Sequence, residues 1–150
     1  MIASDGVVEL RAPTQVDSQR IVAERDDESV RWFGPGGGNP RPVACIWVAG
    51  ELVGWVDYDR DDDHDWLQPG EVNVGYCLFP AGRGKGYASR AVELLLGHLR
   101  RDTGHTVATL LIHPENTRSL ALADRLGFVP RGEVNGEPFF TRALEEGEDQ

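Results

Sequence analysis

Residues 82–90 read Gly-Arg-Gly-Lys-Gly-Tyr-Ala-Ser-Arg, and this stretch with its flanks constrains the fold more than any other part of the chain. Before it, Val72-Asn73-Val74-Gly75-Tyr76-Cys77-Leu78-Phe79 is rich in β-branched and aromatic residues and stops at Pro80, which is the pattern of a strand. After it, Ala88, Ala91, Val92, Leu95 and Leu99 recur at helical spacing on one face. The order is therefore strand, glycine loop, helix. A helix N-terminus presents backbone N–H groups without partners and the positive end of the macrodipole. Gly82, Gly84 and Gly86 have no Cβ, so a ligand can approach the backbone closely, and Arg83 and Lys85 add positive charge at the same place. The natural guest is a phosphate or pyrophosphate. The plain alternative is a flexible strand-to-helix connection.

Two phosphate motifs are tested by spacing. A Walker A loop needs glycine five residues before a Gly-Lys-Ser/Thr; Phe79 stands there, and Gly86 follows the lysine. A dinucleotide fingerprint needs Gly-x-Gly-x-x-Gly, and glycines at 82, 84 and 86 miss the third spacing, although Asp102 lies at a suitable distance for a ribose. Too few strand-helix units follow for a doubly wound sheet.

The rest of the chain supplies a mixed pattern. Val7 to Arg11 reads as a strand, residues 13–24 as a helix with Val16, Ile21 and Val22 inward, and Asp27 to Phe33 as a short second helix. Gly34 to Pro40 is a loop by composition, either a substrate-side lid or a simple connector. Pro42 to Val48 and Glu51 to Tyr58 read as a hairpin around Ala49-Gly50. Aspartates crowd residues 57–65, but neither register places glycine and glutamate where a calcium loop needs them, so a solvated acidic loop is expected. A helix to about Arg101, an apolar strand from Thr106 to Ile112 and a helix from Thr117 to Leu126 follow, with Leu120, Ala123 and Leu126 inward and Gly127 at the C-cap. Phe128 to Glu133 and Pro138 to Leu144 form a last hairpin around Asn135-Gly136, and residues 145–150 an acidic tail frayed at the end. A single domain over 1–150 is expected.

Net charge is −10, which argues against nucleic acid as the main partner and favours a cationic or neutral one. Against that background Arg83, Lys85 and Arg90 form a local basic spot. Cys45 and Cys77 are expected as free thiols in strands, and the four histidines show no metal-ligand spacing, so no metal is expected. No apolar run is long enough to span a membrane and the first residues lack signal-peptide character, so the expected location is cytoplasmic.

Arg83-Gly84-Lys85-Gly86-Tyr87-Ala88 fits the Arg/Gln-x-x-Gly-x-Gly/Ala signature, and Asn116-Thr117-Arg118-Ser119 with Leu126-Gly127-Phe128 resembles an Asn-x-x-Ser … Gly-Phe segment that follows it in the same order. Both belong to the GCN5-related N-acetyltransferases (GNAT), and the resemblance, from about Glu71 to Gly132, is nearest the ribosomal-protein alanine N-acetyltransferase-like branch. It implies an α/β (α+β) fold with a central mixed, mostly antiparallel sheet of about six or seven strands, splayed in the middle and flanked by about four helices. It also implies acetyl-CoA as co-substrate. Its pyrophosphate would lie on the amides of the loop from Arg83 through Gly84, Lys85, Gly86 and Tyr87 to Ala88. Its pantetheine would lie along Cys77, Leu78 and Phe79, with Asn116 touching it, and a backbone N–H near Cys77 or Leu78 would polarise the thioester carbonyl. Asn116 equally suits a helix N-cap. The tyrosine that many members use to return a proton to the leaving thiolate is Ala123 here, which leaves Ser119 as a partner for the sulfur.

The implied function is transfer of acetyl from acetyl-CoA to a primary amine of a small molecule or a protein N-terminus, by direct attack in a ternary complex. A non-catalytic CoA-binding sensor is the alternative. Glu71 leads as the base because alternation puts it on the face of Asn73 and Gly75, with Asp57 and His113 as rivals. The acidic balance points to a cationic acceptor, and dimers are common enough in the family to leave a homodimer open.

Overall fold

The computed structural model describes residues 1–27 and 43–144. The expected second helix beyond Asp27, the glycine-rich loop at 34–40 and the acidic tail lie outside the described residues. Eight strands form one sheet: β1 (Ala3–Ser4), β2 (Val8–Arg11), β3 (Ala44–Val48), β4 (Glu51–Arg60), β5 (Glu71–Leu78), β6 (Val107–Leu111), β7 (Val129–Val134) and β8 (Glu137–Ala143). Their order is β1-β2-β3-β4-β5-β6-β8-β7. The described α-helices are α1 (Gln15–Ala23), α2 (Tyr87–His98) and α3 (Thr117–Arg125). The sheet thus exceeds the six or seven strands expected. The added one is β1, two residues held antiparallel to β2, too short to leave an alternating pattern in sequence.

Pairing is antiparallel for β1–β2, β2–β3, β3–β4, β6–β8 and β7–β8 and parallel for β5–β6. Among the described residues, the β5–β6 register covers Glu71 to Asn73 opposite Val107 to Thr109, the first part of β5 alone. Both hairpin turns have φ above zero at both central residues: Ala49 (51°) with Gly50 (79°), and Asn135 (53°) with Gly136 (83°). That is the type I′ geometry matching strand twist.

Contacts divide the chain into two compact units, one within Met1–Asp57 and Gly75–Leu95, the other within Tyr58–Val74 and Leu96–Gln150. In the first, Val8, Leu10, Ile46 and Val56 are buried, and Ile21 of α1 packs with Cys45, Leu52, Trp55 and Phe79. Helix α1 starts at a capping box: Asp17 N–H donates to Thr14 Oγ1 (3.1 Å), and Thr14 N–H to Asp17 Oδ2 (3.0 Å). Val16 and Val22 point to solvent, leaving Ile21 as the inward anchor of the three expected. In the second unit, Val72, Val74, Ala108, Leu110 and Ile112 build the sheet core, covered by Leu122, Ala123 and Phe128. Helix α3 buries Leu122 and Ala123, with Leu120 and Leu126 half-exposed, so its inner stripe is turned from the one expected. Gly127 (φ 78°) ends α3 as a left-handed C-cap, with the Phe128 N–H on the Ala123 carbonyl (2.9 Å). The buried face of α2 carries Ala91, Val92 and Leu95, and a π-helical turn at Leu99–Thr103 carries the chain on from it.

Candidate active site

The glycine loop is shaped by its backbone. Gly84 (φ 77°) and Gly86 (φ 80°) are left-handed, and nothing lies within 4 Å of where a Cβ on either would sit. The dihedral, not crowding, demands glycine there, and the space in front is open. Left-handed residues alternating with ordinary ones turn successive N–H groups to one side, the anion-binding nest. On either side the amides have carbonyl partners: Gly82 N–H on Phe79 O (2.9 Å), Arg83 N–H on Pro80 O (3.3 Å) and Arg90 N–H on Gly86 O (3.4 Å). The nest therefore falls on residues 84–88, at the start of α2, and Tyr87 and Ala88 supply the first N–H groups of the helix.

The cations are arranged otherwise than the sequence implies. The Arg83 guanidinium makes a bidentate pair with Asp26, Nη1 to Oδ2 at 2.8 Å and Nη2 to Oδ1 at 3.1 Å, and its Nε donates to the Leu78 carbonyl (3.2 Å). Arg90 pairs with Asp5 (3.0 Å). Burial alone would raise the Asp5 carboxyl, but N–H groups of Val8 and Val7 and the Arg90 guanidinium outweigh it and hold it below its ordinary value. Lys85 is exposed and has no ion-pair partner among the described residues. Of the three expected cations, two are neutralised by their own chain.

The end of β5 is fixed at one peptide: the Leu78 carbonyl takes Arg83, and the Phe79 N–H donates to Val53 O (2.8 Å). Phe79 is buried in the core, so its ring packs and its amide is committed. The Cys77 side chain packs against the same cluster. Gly54 on β4 permits the close approach of β5: a Cβ there would collide with the Cys77 carbonyl oxygen and lie 3.0 Å from Leu78 Cα. Likewise a Cβ on Gly75 would collide with Asp57 Oδ1, so the Asp57 carboxylate occupies the space that glycine leaves.

The second unit holds the remaining candidates. Glu71 accepts the Gln68 N–H (2.8 Å) and so closes its own turn. Asn73 Oδ1 accepts from the Thr109 hydroxyl (2.8 Å). His113 Nδ1 accepts the Glu115 N–H (3.1 Å), which puts the proton of the neutral ring on Nε2 and makes that atom a donor. Asn116 caps α3, its Oδ1 accepting the Ser119 N–H (3.3 Å), and its Nδ2 donor is left for another partner. Ser119 is half-exposed in the first turn, and Ala123, at the tyrosine position, is fully buried. Among the described residues no group of His, Cys, Asp or Glu is arranged to hold a metal ion, and no helix is long and apolar enough to cross a membrane.

A model of the acetyltransferase (GNAT) domain matches residues 8–129. The chain belongs to the GNAT family. Membership makes it an acetyltransferase, and the mostly antiparallel mixed sheet is the GNAT fold. No curated protein matches the chain significantly. Among solved structures it resembles the aminoglycoside acetyltransferase AAC(6')-Ib in complex with coenzyme A and kanamycin (TM-score 0.77, 18% identity, covering 91% of this chain and 94% of that one). It also resembles RimL, a ribosomal L7/L12 alpha-N-protein acetyltransferase in complex with coenzyme A (TM-score 0.76, 16% identity, 95% and 97% covered). A third is RimJ from Mycobacterium smegmatis (TM-score 0.72, 22% identity, 94% and 84% covered). At these identities the likeness is one of fold.

Sequence reasoning missed Asp26 and Gly54. Asp26 stands 57 residues from Arg83 with no motif around it. Gly54 carried a signal, since glycine inside a strand marks a close backbone approach.

Proposed function

We propose that this GNAT protein transfers acetyl from acetyl-CoA to a cationic primary amine by direct attack in a ternary complex. The observation that carries the cofactor half is the nest at residues 84–88: left-handed Gly84 and Gly86, open space before them and the exposed Lys85 suit a diphosphate. Acetyl-CoA supplies the thioester. The backbone N–H of Leu78 or Cys77 is the donor for the thioester oxygen, the Phe79 N–H being held by Val53. Asn116 contributes Nδ2 to the pantetheine while its Oδ1 caps α3. With Ala123 in place of tyrosine, the Ser119 hydroxyl donates a hydrogen bond to the CoA sulfur and the thiolate takes its proton from water.

For the amine we favour Asp57. Its carboxylate lies over Gly75, two residues before Cys77 on the same face of β5, nearer along the strand to the proposed thioester donors than Glu71 at the start of β5. A carboxylate there holds an ammonium group and accepts its proton. Kanamycin-bound AAC(6')-Ib and the L7/L12 N-terminal enzyme RimL both have amine acceptors in their names, which supports an amine here. Free Cys45 and Cys77 suit a cytoplasmic setting.

The test is release of CoA thiol from acetyl-CoA across a panel of polyamines, aminoglycosides, amino acids and peptide N-termini. Asp57→Asn is expected to lower kcat/KM for the best amine by about 10²–10⁴-fold with acetyl-CoA affinity unchanged. Glu71→Gln and His113→Ala are expected to stay within about threefold if neither side chain takes the proton of the amine. Loss of turnover in Glu71→Gln with Asp57→Asn intact would reassign the base. Binding of acetyl-CoA without thiol release for any amine would mean a sensor.

A further inference from the structure

We infer that Arg83 is a strut and Asp26 the positioning residue that holds it, so that an acidic side chain strengthens the grip on a polyanionic cofactor. The inference rests on the acetyl-CoA reading above and concerns how that site is built. The guanidinium is engaged through all three of its nitrogens. Its two terminal nitrogens grip both carboxylate oxygens of Asp26, and its Nε holds the Leu78 carbonyl. The pair is largely withdrawn from solvent, 18% exposed at Arg83 and 32% at Asp26, so water screens it less than an ordinary surface bridge. Its net charge is zero, so it adds no attraction for a diphosphate.

What it adds is geometry. Arg83 immediately precedes Gly84, the first left-handed residue of the nest. Its main chain is tied through its N–H to Pro80 O, and its side chain reaches back to the last residue of β5 and across to Asp26. Three anchors on one residue set the direction in which the chain enters the nest. Left-handed glycines carry little conformational bias of their own, so an anchored entry residue supplies the order they lack. The same Nε contact fixes the Leu78–Phe79 peptide, whose N–H is held by Val53. The anion-binding loop and the strand end expected beside the thioester are thus fixed by a single side chain. Lys85, with no ion pair among the described residues, is the charge left for the phosphates.

The sign of one substitution separates a strut from a phosphate ligand. If Arg83 were a ligand restrained by Asp26, Asp26→Asn would free a cation, remove a negative charge and tighten acetyl-CoA binding. If Arg83 is a strut, Asp26→Asn loosens it. Titration calorimetry with acetyl-CoA on Asp26→Asn, Asp26→Glu, Arg83→Ala, Lys85→Ala and Asp26→Asn/Arg83→Ala reads this directly. We expect Asp26→Asn and Arg83→Ala each to weaken binding about tenfold, the double variant to be no weaker than either, and Asp26→Glu to recover most of the affinity. Lys85→Ala, which removes an exposed cation, should weaken binding more at low salt than at high salt. In kinetics Asp26→Asn should raise KM for acetyl-CoA more than it lowers kcat, whereas a general loss of stability would lower kcat with KM unchanged. Binding that is equal or tighter in Asp26→Asn, or additive losses in the double variant, would overturn the inference while leaving the cofactor assignment standing. A wild-type protein that does not bind acetyl-CoA would overturn both.

Discussion

Cys45 shows what burial beside a carboxylate does to one side chain. Burial pushes the thiol up first, and the Asp17 carboxylate adds to it, taking the group from 9.0 to about 12. In the unfolded chain it ionises near its ordinary value, so above that the unfolded state releases a proton that the folded state keeps. The stability owed to this group is therefore full below about pH 9 and is lost as pH rises toward 12, with a slope of at most about 1.4 kcal/mol per pH unit. Urea unfolding of the wild type from pH 7 to 10.5 should steepen above pH 9 relative to Cys45→Ala; equal slopes would refute the shift. The glycine turn at Gly84 and Gly86 and the N-cap at Asn116 were legible from the sequence, because local spacing defines them. The pairing of Arg83 was not, because its partner is distant in the chain and carries no pattern of its own. The His113 tautomer was not legible either, since the one N–H that decides it comes from the backbone of Glu115.

At the level of strands and helices, Gly54 is where packing reaches the proposed chemistry. A methyl group there meets the Cys77 carbonyl and Leu78 Cα, both backbone, so β4 and β5 must part. Gly54→Ala is expected to destabilise by about 1–3 kcal/mol and to raise KM for acetyl-CoA, because the displaced residues are those proposed to bond the pantetheine. Thermal unfolding and steady-state kinetics on the same preparation check both; an unchanged KM with lowered stability would separate β5 from cofactor binding. The sequence announced most elements through their periodicity: the inner face of α2, the apolar strand β6, and the Asn135-Gly136 hairpin all stand as read. Strand β1 and the inner stripe of α3 did not stand as read, the one for lack of length and the other because Leu122 outcompetes Leu120 for the core. Ala49 adopts a left-handed φ that its own composition disfavours and the hairpin geometry imposes.

For the molecule as a whole, the net charge of −10 faces acetyl-CoA and the proposed cationic amine, which are of opposite sign. Acetyl-CoA is a polyanion approaching an acidic protein, and internal pairing has removed two of the three cations near its loop. A cationic amine approaches the same field with the opposite sign. Screening acts on both, with a Debye length near 8 Å at physiological salt. Raising ionic strength should therefore leave association of acetyl-CoA unchanged or faster while it slows kcat/KM for the amine. Stopped-flow binding and steady-state rates from 20 to 500 mM salt would show it, and two parallel slopes would mean that only local charges matter. Net charge was readable from composition, but its consequence for the cofactor was not, because composition cannot tell a paired arginine from a free one. The nest at 84–88 has one last consequence. As the proposed holder of acetyl-CoA, it would grip a diphosphate that is identical before and after the acyl group departs, and so could not distinguish what enters from what must leave. Spent CoA is then a competitor built into the catalytic cycle, and the rate of turnover follows the ratio of acetylated to free CoA around the enzyme as well as the amount of either.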